Sequence, residues 1–197
     1  FDQLFCKVDP HTQDKDYVKA GGVFPVIEAK LGRVRRLVGT GAPSAETGQL
    51  LKMSKSLNNS IFLSDDPDAV KKKVMGMYTD PNRKRATDPG ETDAEKNPLW
   101  AYHETFNPDT AWVSEYQAKY KAGGVGDVEV KRKLVEVLVA LIEPMRQRRL
   151  EFEKDMGAVL NVLKQGTAKA NVVAEETLYM AKEAMGQGYW RRELRGL

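Results

Sequence analysis

Three Asx-Pro pairs, Asp66-Pro67, Asn97-Pro98 and Asn107-Pro108, stand immediately ahead of apolar residues in helical spacing. An Asp or Asn side chain caps the first free N–H groups of a helix, and proline at the first helical position sacrifices no hydrogen bond. The pairs therefore predict three helix starts. Val70, Val74, Met77 and Tyr78 follow the first; Leu99, Trp100 and Tyr102 the second; Trp112, Val113, Tyr116 and Tyr120 the third. Asp80-Pro81 closes the first helix. Beyond the turn Gly123-Gly124-Val125-Gly126, the segment Asp127 to Lys154 sets Leu134, Leu138, Leu141, Ile142 and Met145 on one stripe, with a kink expected at Pro144. Two more helices are expected around Val159–Lys164 and Thr167–Met185, the second stopped by Gly186. Residues 65–186 thus read as a helical domain and 187–197 as a loosely held tail. The polar run Asn82 to Lys96 reads as a mobile surface loop.

Residues 1–64 are punctuated by glycine and obey different rules. Val23-Phe24-Pro25-Val26-Ile27 and Arg36-Leu37-Val38 read as short extended pieces, the first limited by its proline. Gly39-Thr40-Gly41-Ala42-Pro43 is expected to open a loop running to Ser60, with Gly48 as a second soft point. Ile61-Phe62-Leu63 returns the chain to packed structure.

Composition excludes several classes. The single cysteine, Cys6, forms no internal disulfide, which points to a reducing cytoplasm. Two histidines, with no CxxC or HExxH, leave no zinc site. The longest apolar stretch, Leu134 to Ile142, is interrupted by Glu136 and falls short of the roughly 20 residues a membrane helix needs. No secretory signal order appears at the start, which reads as that of a fragment. Residues 1–64 hold 9 Lys+Arg against 6 Asp+Glu, and the remainder 22 against 22, so the helical part has no overall basic bias.

The segment that carries chemistry is Lys52-Met53-Ser54-Lys55-Ser56. Two lysines three residues apart, interleaved with hydroxyls, bring two ammonium groups and several backbone N–H groups to one anion. Glycines at 39, 41 and 48 would let such a loop close on a ligand. The pattern suits displacement at a nucleotide α-phosphorus. Charge then grows on the departing diphosphate, and lysines placed there stabilise the transition state more than the ground state. The plainer reading is an exposed basic loop.

All five positions match the KMSKS signature, so the chain resembles the class I aminoacyl-tRNA synthetases, and its flanks are similar to the tryptophanyl branch. Arg33-Val34-Arg35-Arg36-Leu37-Val38 looks like the strand before the loop, and Leu63-Ser64-Asp65-Asp66-Pro67 through Lys72-Lys73-Val74 to Thr79-Asp80 like the exit from it. Tyr120-Lys121-Ala122-Gly123-Gly124, Ile142-Glu143-Pro144-Met145-Arg146-Gln147-Arg148-Arg149 and Ala184-Met185-Gly186 extend the likeness over nearly the whole chain. The resemblance implies an α/β nucleotide-binding (Rossmann-like) domain, only its end present in residues 1–64, followed by the all-α domain. It implies a tryptophan–tRNA ligase that makes tryptophanyl-adenylate and pyrophosphate from ATP, then charges tRNA(Trp). Lys52 and Lys55 would hold the triphosphate and the leaving pyrophosphate, with Ser56 assisting. Met53 and Ser54 would meet the adenine side through backbone groups, Val34 would lie near the adenine, and Mg2+ would come bound to the ATP phosphates. A cytoplasmic homodimer is implied, joined through the catalytic domain.

The approach to the loop departs from the family, with Gly39-Thr40-Gly41 and a longer Ala-Pro-Ser-Ala-Glu-Thr-Gly stretch, and Asn58 stands where relatives carry glycine or a charge. The remaining family signatures would precede Phe1, so the 197-residue chain alone is expected to be inactive. An inert paralogue that binds RNA or protein, and a tyrosyl-type synthetase, are the alternatives. Arg146 and Arg149 are candidates for tRNA contact, but acids flank them, as they do Lys131, Arg132 and Lys133, which suits solvated helix faces. Trp100, Trp112 and Tyr116 read as core, and His11 and His103 as surface or helix polar residues. Lys71-Lys72-Lys73 reads as an exposed face near the loop. Asn58-Asn59-Ser60 fits a glycosylation pattern that a cytosolic phosphate loop does not use.

Overall fold

The computed structural model describes residues 30, 34 and 36–189. The chain divides into two compact units, Leu31–Lys154 and Phe1–Lys30 with Asp155–Leu197. The expected strand at 23–27, Cys6, His11 and most of the tail lie outside the described residues. Among those described, no helix is long and apolar enough to cross a membrane.

The first unit opens with a β-hairpin where a loop was expected. Strand β1 (Val38–Pro43) pairs antiparallel with β2 (Leu50–Lys52). Val38 lies opposite Lys52 and Pro43 opposite Leu50, with an irregularity between. Gly39 and Gly41 are therefore strand residues. The reason is close approach, since a Cβ on Gly39 would stand 2.1 Å from Nδ2 of Asn59. The long Ala-Pro-Ser-Ala-Glu-Thr-Gly stretch ends β1 with Ala42 and Pro43 and supplies the hairpin's turn from Ser44 onward. Ser44 accepts from the Glu46 N–H at 3.2 Å, and Gly48 sits at φ +66°.

Helix α1 (Pro67–Met75) starts as expected, Oδ1 of Asp66 accepting from the Ala69 N–H at 2.7 Å. It buries Val70 and Val74. Its C-terminal end is closed by Lys131, whose ammonium donates to the carbonyls of Met75 at 3.0 Å and Met77 at 2.7 Å. Lys131 is thus a buried residue rather than part of a solvated face, and burial holds its pKa below the usual lysine range. The cation also complements the negative end of the helix.

Residues 82–96 are not a free loop but one stapled by Arg83. The guanidinium lies 3.9 Å over the Tyr120 ring, pairs with Asp127, and donates to the carbonyls of Ala86, Asp88 and Val125. Gly90 makes this possible, because a Cβ there would strike the Tyr120 ring. A polar composition concealed one buried cation that organises the whole segment.

Helix α2 (Pro98–Phe106) is capped by Asn97, and α3 (Thr110–Ala122) by Asp109 rather than by the Asn107-Pro108 pair. Asn107 instead terminates α2 and turns the chain, accepting from the Asp109 N–H at 3.0 Å. Helix α4 (Asp127–Glu153) runs through Pro144 and buries Val130, Leu134, Leu138 and Ile142 against α1 and α2. Leu141 and Met145, at the edge of the expected stripe, are each 39% exposed. In the second unit one helix, α5 (Met156–Ala184), replaces the two expected. Gly166 lies inside it, and a single glycine costs only about 1 kcal/mol in a helix of that length.

The core of the first unit is aromatic. Trp100 packs edge-on to Tyr120 at 5.3 Å, and Trp112 stacks on Tyr116 at 4.1 Å. His103, a polar residue of α2, is fully buried between the two tryptophans. Its Nε2 lies 3.0 Å from the Val130 carbonyl and its Nδ1 3.2 Å from the Asn107 amide nitrogen. The carbonyl can only accept and the amide only donate, which sets the neutral ring with the proton on Nε2. Burial, with Lys133 nearby, pushes the His103 pKa down to about 4.

A depressed histidine pKa means the unfolded chain takes up the proton first as pH falls. Its stabilising effect is complete above about 6.5, the unfolded value, and declines as pH drops through that value toward about 4. Urea unfolding from pH 7 to 4.5 is predicted to lose stability with that slope, by roughly 2 kcal/mol. His103→Gln should flatten the difference; an identical slope in both proteins contradicts a buried neutral imidazole.

Candidate functional site

The hairpin delivers Lys52 at the end of β2, and the next seven residues form a closed loop. Asn59 closes it. Its Oδ1 accepts from the Ser54 N–H at 2.7 Å, and its Nδ2 donates to the Lys52 carbonyl at 3.2 Å. Its own carbonyl accepts from the Thr40 N–H at 2.9 Å, which ties the loop's exit to β1. Within the loop, the Asn58 N–H donates to the Lys55 carbonyl at 3.1 Å, making a tight turn over residues 55–58. Asn58 there takes φ +50°, a left-handed conformation that glycine adopts freely and asparagine tolerates.

Met53 packs partly buried against the core, while Lys52, Lys55 and Ser56 face solvent. The hydroxyls of Ser54 and Ser56 lie 2.9 Å apart. Among the described residues, neither loop lysine has an acidic partner within ion-pair distance. The cations around them are differently placed. Lys73 pairs with Asp65 at 2.6 Å, 4.3 Å over the Phe62 ring, and Asp65 also accepts from the Phe62 N–H. Lys73 therefore fixes the loop's exit and does not belong to an open basic face with Lys71 and Lys72. Two uncommitted ammonium groups on a pinned backbone are suited to an anion carrying several charges.

The other candidate residues stand apart from this loop in the sequence, and their environments differ. Val34, 40% exposed, lies on the segment ahead of β1. Arg146 forms a two-pronged pair with Glu143, both contacts at 2.8 Å, and this arginine holds the Glu143 carboxyl down to about 2. Arg149 pairs with Glu153 at 2.7 Å. Both arginines thus carry local helix partners, the arrangement of a solvated face. Among the described residues, no group of three or more His, Cys, Asp or Glu side chains is placed to hold a metal ion.

Sequence reasoning missed Asn59, noticing it only within a glycosylation pattern. Its signal was indirect: a glycine in a strand marks the close approach of another group, and Gly39 faces this amide.

Residues 42–143 match the family described as tRNA synthetases class I (W and Y). A tryptophan–tRNA ligase of Treponema pallidum is 45% identical over 166 residues, 84% of this chain and 47% of that protein. One from Clostridium longisporum is 45% identical over 159 residues, covering 81% of this chain and 44% of its own length. The chain therefore spans about half the length of these relatives. Among solved structures, the tryptophanyl-tRNA synthetase of Campylobacter jejuni in complex with ADP and tryptophan superposes with a TM-score of 0.62 at 26% identity. The match covers 87% of this chain and 50% of that one, and carries the fold: the end of a Rossmann-like nucleotide-binding domain joined to helices.

The left-handed residue gives a direct check. Asn58→Gly should stay within about 0.5 kcal/mol of the parent in urea unfolding, whereas Asn58→Val should cost about 1–2 kcal/mol. Equal tolerance of the two would show that the turn does not hold position 58 as described.

Proposed function

The chain belongs to the class I tRNA synthetases of the tryptophan and tyrosine type, and on that footing we propose that it is the ATP-loop and tRNA-side portion of a tryptophan–tRNA ligase. The observation that carries the reading is the pinned loop with Lys52 and Lys55 both exposed and without acidic partners among the described residues. The names of the relatives, tryptophan–tRNA ligases at 43–45% identity, support tryptophan over tyrosine as the amino acid.

In the proposed reaction the tryptophan carboxylate attacks the α-phosphorus of ATP. The bond from that phosphorus to the bridging oxygen breaks, and pyrophosphate departs with the charge. The ammonium groups of Lys52 and Lys55 meet the β- and γ-phosphates as that charge grows, and Ser56 donates its hydroxyl. Mg2+, which would come bound to the phosphates, would neutralise part of their charge. Met53 and Ser54 present backbone groups to the adenine side, with Val34 beyond them. The Ser54 N–H is already engaged by Asn59, which leaves its carbonyl for that task. A terminal ribose hydroxyl of tRNA(Trp) then attacks the adenylate's carbonyl carbon, releasing AMP. Arg146 and Arg149 contact tRNA only by exchanging Glu143 and Glu153 for phosphate. The protein works in the cytoplasm as a homodimer joined through its catalytic domain.

The test is tryptophan-dependent exchange of pyrophosphate into ATP, in the complete ligase. Lys52→Ala and Lys55→Ala should each lower kcat on the order of 10²–10³, with the tryptophan KM little changed. Tyrosine should not replace tryptophan, and the 197-residue chain alone should show no exchange. Normal kcat in the double variant sinks the assignment.

A further inference from the structure

Asn59 is the one loop side chain that is buried, 5% exposed, while its neighbours Lys55 to Asn58 lie in solvent. Burying a carboxamide is costly unless donor and acceptor are both satisfied, and here both are. The Ser54 N–H can only donate, so Oδ1 faces it; the Lys52 carbonyl can only accept, so Nδ2 faces that. Each end of the amide thus fixes one peptide group beside a phosphate-binding lysine.

Two features of the chain accommodate this amide, one giving room and the other direction. Gly39 supplies the room, since any Cβ would stand 2.1 Å from Nδ2 and 2.4 Å from Cγ of Asn59. The left-handed turn at Asn58 supplies the direction, bringing the next side chain inward beneath the loop. The Thr40 N–H then anchors the Asn59 backbone at 2.9 Å. An aspartate would keep the acceptor for Ser54 but set a carboxylate oxygen against the Lys52 carbonyl. A glutamine has an extra methylene for which the space over Gly39 makes no provision.

Resting on the ligase reading above, we propose that Asn59 is a positioning residue for the activation step. Its carboxamide holds the peptides of Lys52 and Ser54 so that both lysines leave the backbone in fixed directions toward the departing diphosphate. Asn59 itself touches neither nucleotide nor amino acid. Without it the loop must be ordered during the reaction, and the lysine contacts that strengthen in the transition state weaken. The loss therefore falls on kcat and spares tryptophan binding.

The experiment compares Asn59→Ala, the isosteric Asn59→Asp and Gly39→Ala with the parent complete ligase. Pyrophosphate exchange is measured against tryptophan, alongside the rate of trypsin cleavage after Lys52 and Lys55. The expected result is a 10- to 100-fold fall in kcat for all three, a tryptophan KM within about twofold, and faster cleavage at both lysines. Gly39→Ala acts by displacing the amide without altering it, and Asn59→Asp keeps the shape while removing one hydrogen bond. Normal kcat in Asn59→Ala and Asn59→Asp, with the double lysine variant impaired, overturns the positioning role and leaves the ligase reading intact. A rise in tryptophan KM matching the fall in kcat also overturns it, because a general loss of structure would act that way. Normal kcat in the double lysine variant removes the ligase reading beneath it.

Discussion

The peptide groups on either side of Thr40 splice the loop to the helices. The Thr40 N–H donates to the Asn59 carbonyl, and the Thr40 carbonyl accepts from the Tyr78 N–H, both at 2.9 Å. One strand residue is thus bonded to the end of the lysine loop and to the chain leaving α1. The same strand receives the Tyr102 hydroxyl of α2 on the Val38 carbonyl, also at 2.9 Å. Met77, next to Tyr78, accepts from Lys131 of α4. A single hydrogen bond contributes only about 1 kcal/mol net, but a buried group left unpaired costs more, so these contacts stand or fall together. The helical layer is the base on which a short hairpin can hold a loop steady.

Electrostatics then separates the lysines of the loop from the cations that build the structure. Arg83 is buried against Tyr120 and Asp127, Lys131 closes a helix end, and Lys73 binds Asp65. Each is satisfied inside the fold. Lys52 and Lys55 face solvent on a loop in which the Lys52 carbonyl, the Ser54 N–H and the Lys55 carbonyl are already engaged. The proposed phosphate contact would draw on a fixed frame carrying exposed ammonium groups, because a long flexible side chain on a loose loop would surrender more entropy on binding.

The sequence was legible where the deciding partner is close along the chain. The side chains of Asp66 and Asn97 accept from N–H groups three and two residues on, and both predictions hold. The lysine pattern is likewise local and stands where the hairpin presents it. Failures occur where the partner is distant. The glycines of β1 look like loop residues until Asn59, some twenty residues later, is seen against them. Lys131 looks like part of a solvated face and His103 like a surface or helix polar residue, yet their partners lie 54 and 27 residues away. At Asn107-Pro108 the local rule itself misled, because Asp109 offered the better cap two residues further on. The identity of the amino acid substrate was carried by resemblance rather than by any residue's chemistry.

Asn59 holds the loop's backbone ahead of any ligand, with the lysine tips left in solvent. Amide hydrogen exchange across residues 50–60 of the complete protein, with and without ATP, measures that hold. The Ser54 amide is expected to exchange slowly in both states, because its N–H is donated to a buried oxygen, and the Lys55 and Ser56 amides to exchange fast and slow only when ATP binds. Ser54 exchanging as fast as Lys55 and Ser56 in the absence of ATP would contradict it.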